Sequence, residues 1–141
     1  MNRALAAILA NVITAEEIIQ KVKEFTDSTL SRDEVLRETV SILKRERSSC
    51  NWVGIYLLEC DALVLHNYIG KPTEHTHIPV GRGVCGAAVA DRENKIVDDV
   101  VQEANYLACS LETRAEIVVL IRRGEDIFGQ IDIDSDTERA F

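Results

Sequence analysis

The sequence predicts an α+β domain, with helices at its N-terminal end followed by a largely antiparallel sheet that one further helix interrupts. Three observations carry this. Residues 2–47 follow a helical pattern with neither Gly nor Pro among them. After Ser48 the apolar period drops to two, as in NWVGIYLL (51–58). Two more alternating runs, AEIVVLIR (115–122) and IFGQIDID (127–134), close the chain around the turn Arg123-Gly124-Glu125. The order helices, strands, helix, strands lacks the repeating β-α-β alternation of a parallel sheet. At 141 residues the chain fits one domain, 1–141, with helices over 1–47 and sheet and pocket over 51–141.

The elements follow in order. A first helix is expected over Ala4–Asn11. Thr14 with Glu17 three residues on is a capping box that opens a second helix, through Phe25. Ser31 with Glu34 repeats that signature for a third, whose apolar face is Val35, Val40, Ile42 and Leu43. Cys60-Asp61 turns the first strand into a second over Ala62–Tyr68, and Gly70-Lys71-Pro72 is a break. Thr76–Val80 is short and extended, and Gly81-Arg82-Gly83 leads into a helix over Val84–Ala90. Lys95–Val97 makes a short strand, 100–113 is irregular, and Asp136–Phe141 begins a last helix.

Composition excludes some partners. A net charge of −8 argues against a nucleic-acid backbone or an anionic membrane as partner. No apolar run approaches the roughly 20 residues that span a bilayer. The apolar stretch from Ala4 to Ile13 has one preceding Arg and is followed by Glu16 and Glu17, so it reads as a packing helix rather than a secretion signal. The expectation is a cytoplasmic protein. In a reducing compartment the cysteines Cys50, Cys60, Cys85 and Cys109 are better suited to redox or catalytic work than to two structural disulfides. With His66, His75 and His77 they form no zinc-ligand spacing, so no metal is expected.

Strand side chains alternate, so each strand sorts into two faces. Val53, Ile55 and Leu57, with Ile117, Val119, Ile121, Ile127, Gly129, Ile131 and Ile133, form an aliphatic face suited to covering by helices. The reverse faces collect Trp52, Gly54 and Tyr56 with Glu116, Val118 and Leu120, and Phe128, Gln130, Asp132 and Asp134. If the strands are neighbours, this second set is the floor of an amphipathic pocket. Any one of these carboxylates alone would read as a surface charge, but the aromatic area beside them is seldom left in water. Carboxylates covered together repel, and desolvation adds to this, so at least one holds its proton toward neutrality and can donate it.

Two cysteines stand out by position. Cys85 follows GRGV at the start of a predicted helix, where the dipole favours a thiolate. Cys109 lies in the irregular segment, where a thiol is more accessible than in a core strand. For either one alone, a small buried hydrophobe is the commoner explanation. Cys50 reads as inert and Cys60 as a candidate auxiliary thiol.

Taken together, NWVGIYLL, GK, IPVGRGVCGAAVA, YLACS, AEIVV and GQIDIDS resemble, in order and spacing, the free methionine-R-sulfoxide reductases, which are stand-alone GAF domains. The resemblance covers about two thirds of the chain, from Asn51 on. It implies a GAF domain with the N-terminal helices on one sheet face and a ligand pocket on the other. It also implies that Cys85 and Cys109 are the reactive cysteines, that Glu116, Asp132 and Asp134 act in catalysis and substrate binding, and that Trp52 and Tyr56 contact the substrate. The chain departs from the family pattern at His75, where many members have a third cysteine, at Ser110 in place of Asp, and at Leu120 in place of Pro. It therefore resembles a two-cysteine variant.

The resemblance further implies a reaction: reduction of the R epimer of free methionine sulfoxide through a cysteine sulfenic acid and an intramolecular disulfide. No bound cofactor is expected, only an external dithiol reductant such as thioredoxin. Cys109 is the favoured nucleophile and Cys85 the resolving thiol, with exchange of the two roles left open, as is the identity of the proton-donating carboxylate. A homodimer is compatible by analogy with other GAF domains. The alternative is a GAF-type ligand-binding or sensor module without catalysis, since the fold hosts many ligands. An acidic pocket floor argues against a cyclic nucleotide as that ligand.

Overall fold

The computed structural model describes residues 13–107 and 110–141. The helix expected over Ala4–Asn11 and the thiol Cys109 lie outside the described residues. Helix α1 spans Ala15–Thr26 and α2 spans Arg32–Glu46, each opened by the capping box read from sequence. Thr14 Oγ1 accepts from Glu17 N at 3.1 Å, and Thr14 N donates back to Glu17 Oε2 at 2.6 Å. The Ser31–Glu34 pair repeats this. Such a cap contributes about 1 kcal/mol, enough to set where a helix starts.

The strands are β1 (Trp52–Glu59), β2 (Ala62–Ile69), β3 (His77–Pro79), β4 (Lys95–Val97), β5 (Ala115–Arg123) and β6 (Asp126–Ser135). They form one sheet in the order β3-β2-β1-β6-β5-β4, and every neighbouring pair is antiparallel. The α+β expectation holds. The first and last strands of the chain thus lie side by side at the centre, and only tertiary pairing puts them there.

Helix α2 packs on β1 and β2. Its Val40 joins Cys50, Val53 and Ile55 in a buried cluster flanked by Leu36, Leu43, Ile131 and Ile133. Cys50 serves here as a small hydrophobe, and burial pushes its thiol above the ordinary range. The opposite face is covered by α3 (Gly83–Asp91), which packs against β3, β5 and β6. Val84, Cys85, Ala88 and Val89 meet Trp52, Tyr56, Val118 and Leu120 there. No helix among the described residues is long and apolar enough to cross a membrane.

Two local expectations are corrected. Residues 136–141 turn rather than forming a helix. Asp136 N is taken by Asn51 Oδ1 at 2.8 Å and Thr137 N by Ser135 Oγ at 3.2 Å, so the first amides bond outside any helical ladder, and six residues are too few to repay helix nucleation. Arg139 adopts φ +53° and its amide donates to Asp98 O at 2.9 Å, which ties the chain end to the segment after β4. The second correction concerns Phe128, expected on the pocket floor. The β5–β6 register slips between Ile121 and Arg122, so Ile121 pairs with Gly129 and Arg122 with Ile127, and Phe128 is skipped. Beyond this bulge the faces exchange. Ile127 packs against the pocket-side cluster, and Phe128 is 48% exposed with the Arg123 guanidinium 5.9 Å from its ring.

Candidate functional site

Register sets the pocket floor as three rows across β1, β6 and β5. Trp52 pairs with Asp134, which pairs with Glu116; Gly54 with Asp132, then Val118; Tyr56 with Gln130, then Leu120. Apart from Phe128, the side chains read from sequence as one face therefore do share one face, and those are buried. The three carboxylates occupy two adjacent rows, so they crowd one corner of the sheet.

The aromatic wall is held by polar handles. Tyr56 is fully buried and its hydroxyl donates to His75 O at 2.8 Å. Trp52 Nε1 donates to Lys71 O at 3.1 Å, and its ring stacks on Tyr68 with centroids 5.3 Å apart. The indole lies over Gly54, where a Cβ would meet Trp52 Cη2 at 2.3 Å. That collision explains the glycine in NWVG.

Cys85 approaches from α3. Gly83, at φ +64°, opens that helix, and a Cβ on it would stand 2.9 Å from Leu107 Cβ. Asn105 clamps this turn from across the structure: its Oδ1 accepts from Gly83 N at 3.2 Å, and its Nδ2 donates to Gly83 O at 3.1 Å. The thiol of Cys85 then points at Glu116, with Sγ 3.7 Å from Oε1. Both residues are about 5% exposed.

The carboxylates are electrostatically frustrated. Burial raises Glu116 well above the usual carboxyl range, and the neighbouring charges of Asp132 and Asp134 raise it further. Asp134 is raised well above its usual range by burial and by Asp132 and Asp136. Asp132 is pushed up to about 6 by burial, while Cys85 and Glu116 partly offset this by hydrogen bonding to it. Glu116 is thus a carboxyl that keeps its proton to higher pH than an ordinary one. Neither oxygen of Asp134, and neither polar atom of the Gln130 side chain, has a hydrogen-bond partner among the described residues. Buried polar groups left so are costly, and they commonly mark where a polar ligand completes the set.

Cys85, Glu116 and Asp132 each offer a donor atom within 4.8 Å of the others, and these residues could hold a thiophilic cation. No histidine belongs to this group. The same convergence suits a thiol that works beside an acid. Cys60 stands apart, exposed in the β1–β2 turn at the far end of β1 from Trp52. The described residues flanking Cys109 both border the site. Leu107 packs on the pocket-side cluster, and Ser110 lines a cavity of about 90 Å³ with Trp52, Lys71, Thr113 and Asp134. Lys71, Ser110 and Thr113 were not singled out by sequence reasoning as site residues. Lys71 read as part of a Gly-Lys-Pro break and of the GK motif, with no role attached, and nothing local shows that its carbonyl meets the indole 19 residues away.

No family-level profile matches the chain. Over 100 residues it is 41% identical to the free methionine-R-sulfoxide reductase of Escherichia coli K12; the match covers 71% of this chain and 60%, under two thirds, of that protein's length. Among solved structures it resembles type II free methionine-R-sulfoxide reductase from Thermoplasma acidophilum, with TM-score 0.73 and 37% identity over 85% of this chain and 81% of that one. The free methionine-R-sulfoxide reductase of Neisseria meningitidis in complex with its substrate superposes with TM-score 0.83 and 33% identity, covering 89% and 75%. A solved GAF domain superposes with TM-score 0.81 and 29% identity, covering 89% and 75%, so the fold is that of a GAF domain.

Proposed function

The chain belongs to the free methionine-R-sulfoxide reductase family, and on that premise we propose that it reduces the R epimer of free methionine sulfoxide to methionine with a cysteine thiol. One observation carries the reading: a carboxyl that holds its proton, Glu116, lies 3.7 Å from the Cys85 thiol beneath an aromatic wall. A sulfoxide oxygen leaves poorly unless protonated, and a neutral buried carboxyl supplies that proton.

In this reading Cys109 attacks the sulfoxide sulfur while a carboxyl protonates the oxygen. The sulfur–oxygen bond breaks, the oxygen passes to the cysteine as a sulfenic acid, and methionine departs as the reduced thioether. The Cys85 thiol then attacks the sulfenic sulfur, forming a Cys85–Cys109 disulfide and releasing water. A dithiol such as thioredoxin reopens it by exchange and takes up the oxidation. With His75 in place of a third cysteine, the chain works as a two-cysteine variant. Trp52 and Tyr56 hold the methyl and thioether end, and the ionised members of the carboxylate set hold the ammonium. The cycle suits a reducing compartment such as the cytoplasm.

The test is methionine release from purified protein, a thioredoxin system and three substrates. Turnover is expected with the R epimer of the free sulfoxide, and not with the S epimer or a peptide-internal methionine sulfoxide. Equal turnover of the peptide would sink the specificity, and no release from any substrate would leave the sensor reading in its place.

A further inference from the structure

We propose that Lys71 anchors the α-carboxylate of the free amino-acid substrate, and that Glu112 holds this position until the substrate displaces it. The inference rests on the function proposed above and explains how the site tells a free amino acid from a peptide residue. A free amino acid brings an ammonium and a carboxylate together. The corner formed by Trp52 and Asp134 answers the ammonium, but an acidic floor repels the carboxylate, so a cation has to stand at the rim. Among the described residues lining the cavity beside Trp52 and Asp134, Lys71 is the one cation.

Its placement is built in. Asp134 pairs with Trp52 in the sheet, and Trp52 Nε1 donates to Lys71 O at 3.1 Å, so Trp52 ties the lysine backbone and the buried carboxylate to the same cavity. The preceding Gly70, at φ +151°, lies so close that a Cβ would be 2.4 Å from Trp52 Cδ1. Only glycine lets the chain seat Lys71 against that ring.

The cation already holds a carboxylate. Lys71 Nζ is 2.6 Å from Glu112 Oε2, and the Ser110 hydroxyl donates to that same oxygen at 2.5 Å. Lysine and serine together hold Glu112 down to about 2, so it is fully ionised in the working range. A substrate carboxylate presents the same group, and one that replaced Glu112 would inherit both donors. The exchange is easy because the Lys71 and Glu112 side chains are 60% and 57% exposed, and water screens such a pair. A peptide-internal residue has no carboxylate to offer.

The experiment compares wild type, Lys71→Met, Lys71→Arg and Glu112→Gln on free methionine-R-sulfoxide and on its α-carboxamide, which keeps the ammonium and the sulfoxide. Wild type is expected to show a KM about tenfold higher for the amide, the scale of one charge-assisted hydrogen bond lost at a screened site. Lys71→Met raises the KM of the acid by a similar factor, leaves kcat within about twofold and leaves the amide unaffected. Lys71→Arg restores most of the acid's advantage, and Glu112→Gln lowers the acid's KM. A Lys71→Met protein that keeps the wild-type preference for acid over amide, or that loses both substrates equally while folded by circular dichroism, overturns the anchor alone. Wild type inactive on both substrates overturns the functional reading, and the anchor with it.

Discussion

The Sγ of Cys85 and the Oε1 of Glu116 lie 3.7 Å apart although 31 residues separate them in the chain. A helix start and a strand start are brought together by α3 packing on β5. The pair sets a thiol beside an acid whose proton is held by burial and by two neighbouring carboxylates.

If Glu116 donates the catalytic proton, Glu116→Gln lowers kcat about 10²- to 10³-fold. The sign of the pH effect follows from its raised pKa. The protonated form is active, so rate is retained below that pKa and lost as pH rises through it, later than the pH of about 5 at which an ordinary carboxyl is spent. A pH–kcat profile of Glu116→Gln lacks that alkaline limb; a limb that survives assigns the proton to another group.

Asp132 makes the folded protein pH-sensitive in a stated direction. Its folded pKa is raised from 3.8 to about 6, so the folded state binds more protons than the unfolded one between those values, and stability falls as pH rises through that window. Asp132→Asn removes the penalty and stabilises the fold at pH 7 by on the order of 3 kcal/mol, with little effect near pH 3. Urea unfolding at both pH values measures this.

Single-turnover chemistry separates the two thiols. With Cys109 as nucleophile, Cys109→Ser releases no methionine, and Cys85→Ser releases about one equivalent and stops, because the sulfenic acid is left unresolved. Rapid quench with product counting reads both. The reverse pattern exchanges the roles, and normal turnover by both variants excludes the thiol cycle.

Gly54 tests the aromatic wall. A methyl there meets the Trp52 indole at 2.3 Å, so Gly54→Ala displaces the ring. Overpacking of this kind costs about 1–3 kcal/mol. The expected result is a higher KM, lower stability and a shifted tryptophan emission, readable cleanly because the chain has a single Trp.

Much of the site was legible in advance, for a particular reason. Alternation is a local property of an extended chain, so Trp52, Tyr56, Glu116, Asp132 and Asp134 could be sorted to one face before any pairing was known. Capping boxes are equally local, and Thr14–Glu17 and Ser31–Glu34 open their helices as read. Phe128 failed because a one-residue slip between Ile121 and Arg122 reverses every face beyond it, and no residue type announced the slip.

By itself, then, the sequence determined which residues could meet: one aliphatic face, one face of aromatics and carboxylates, and a cysteine at a helix start. Tertiary structure decided which of them did meet. The β1–β6 and β5–β6 registers turned three separate carboxylates into one crowded corner, and burial raised their proton affinity. Loop closure brought Lys71 to Trp52 and Glu112 to Lys71, contacts 19 and 41 residues long in sequence that no local pattern encodes. Periodicity and capping act within a few residues, whereas pairing register, desolvation and loop contacts exist only once the chain has folded.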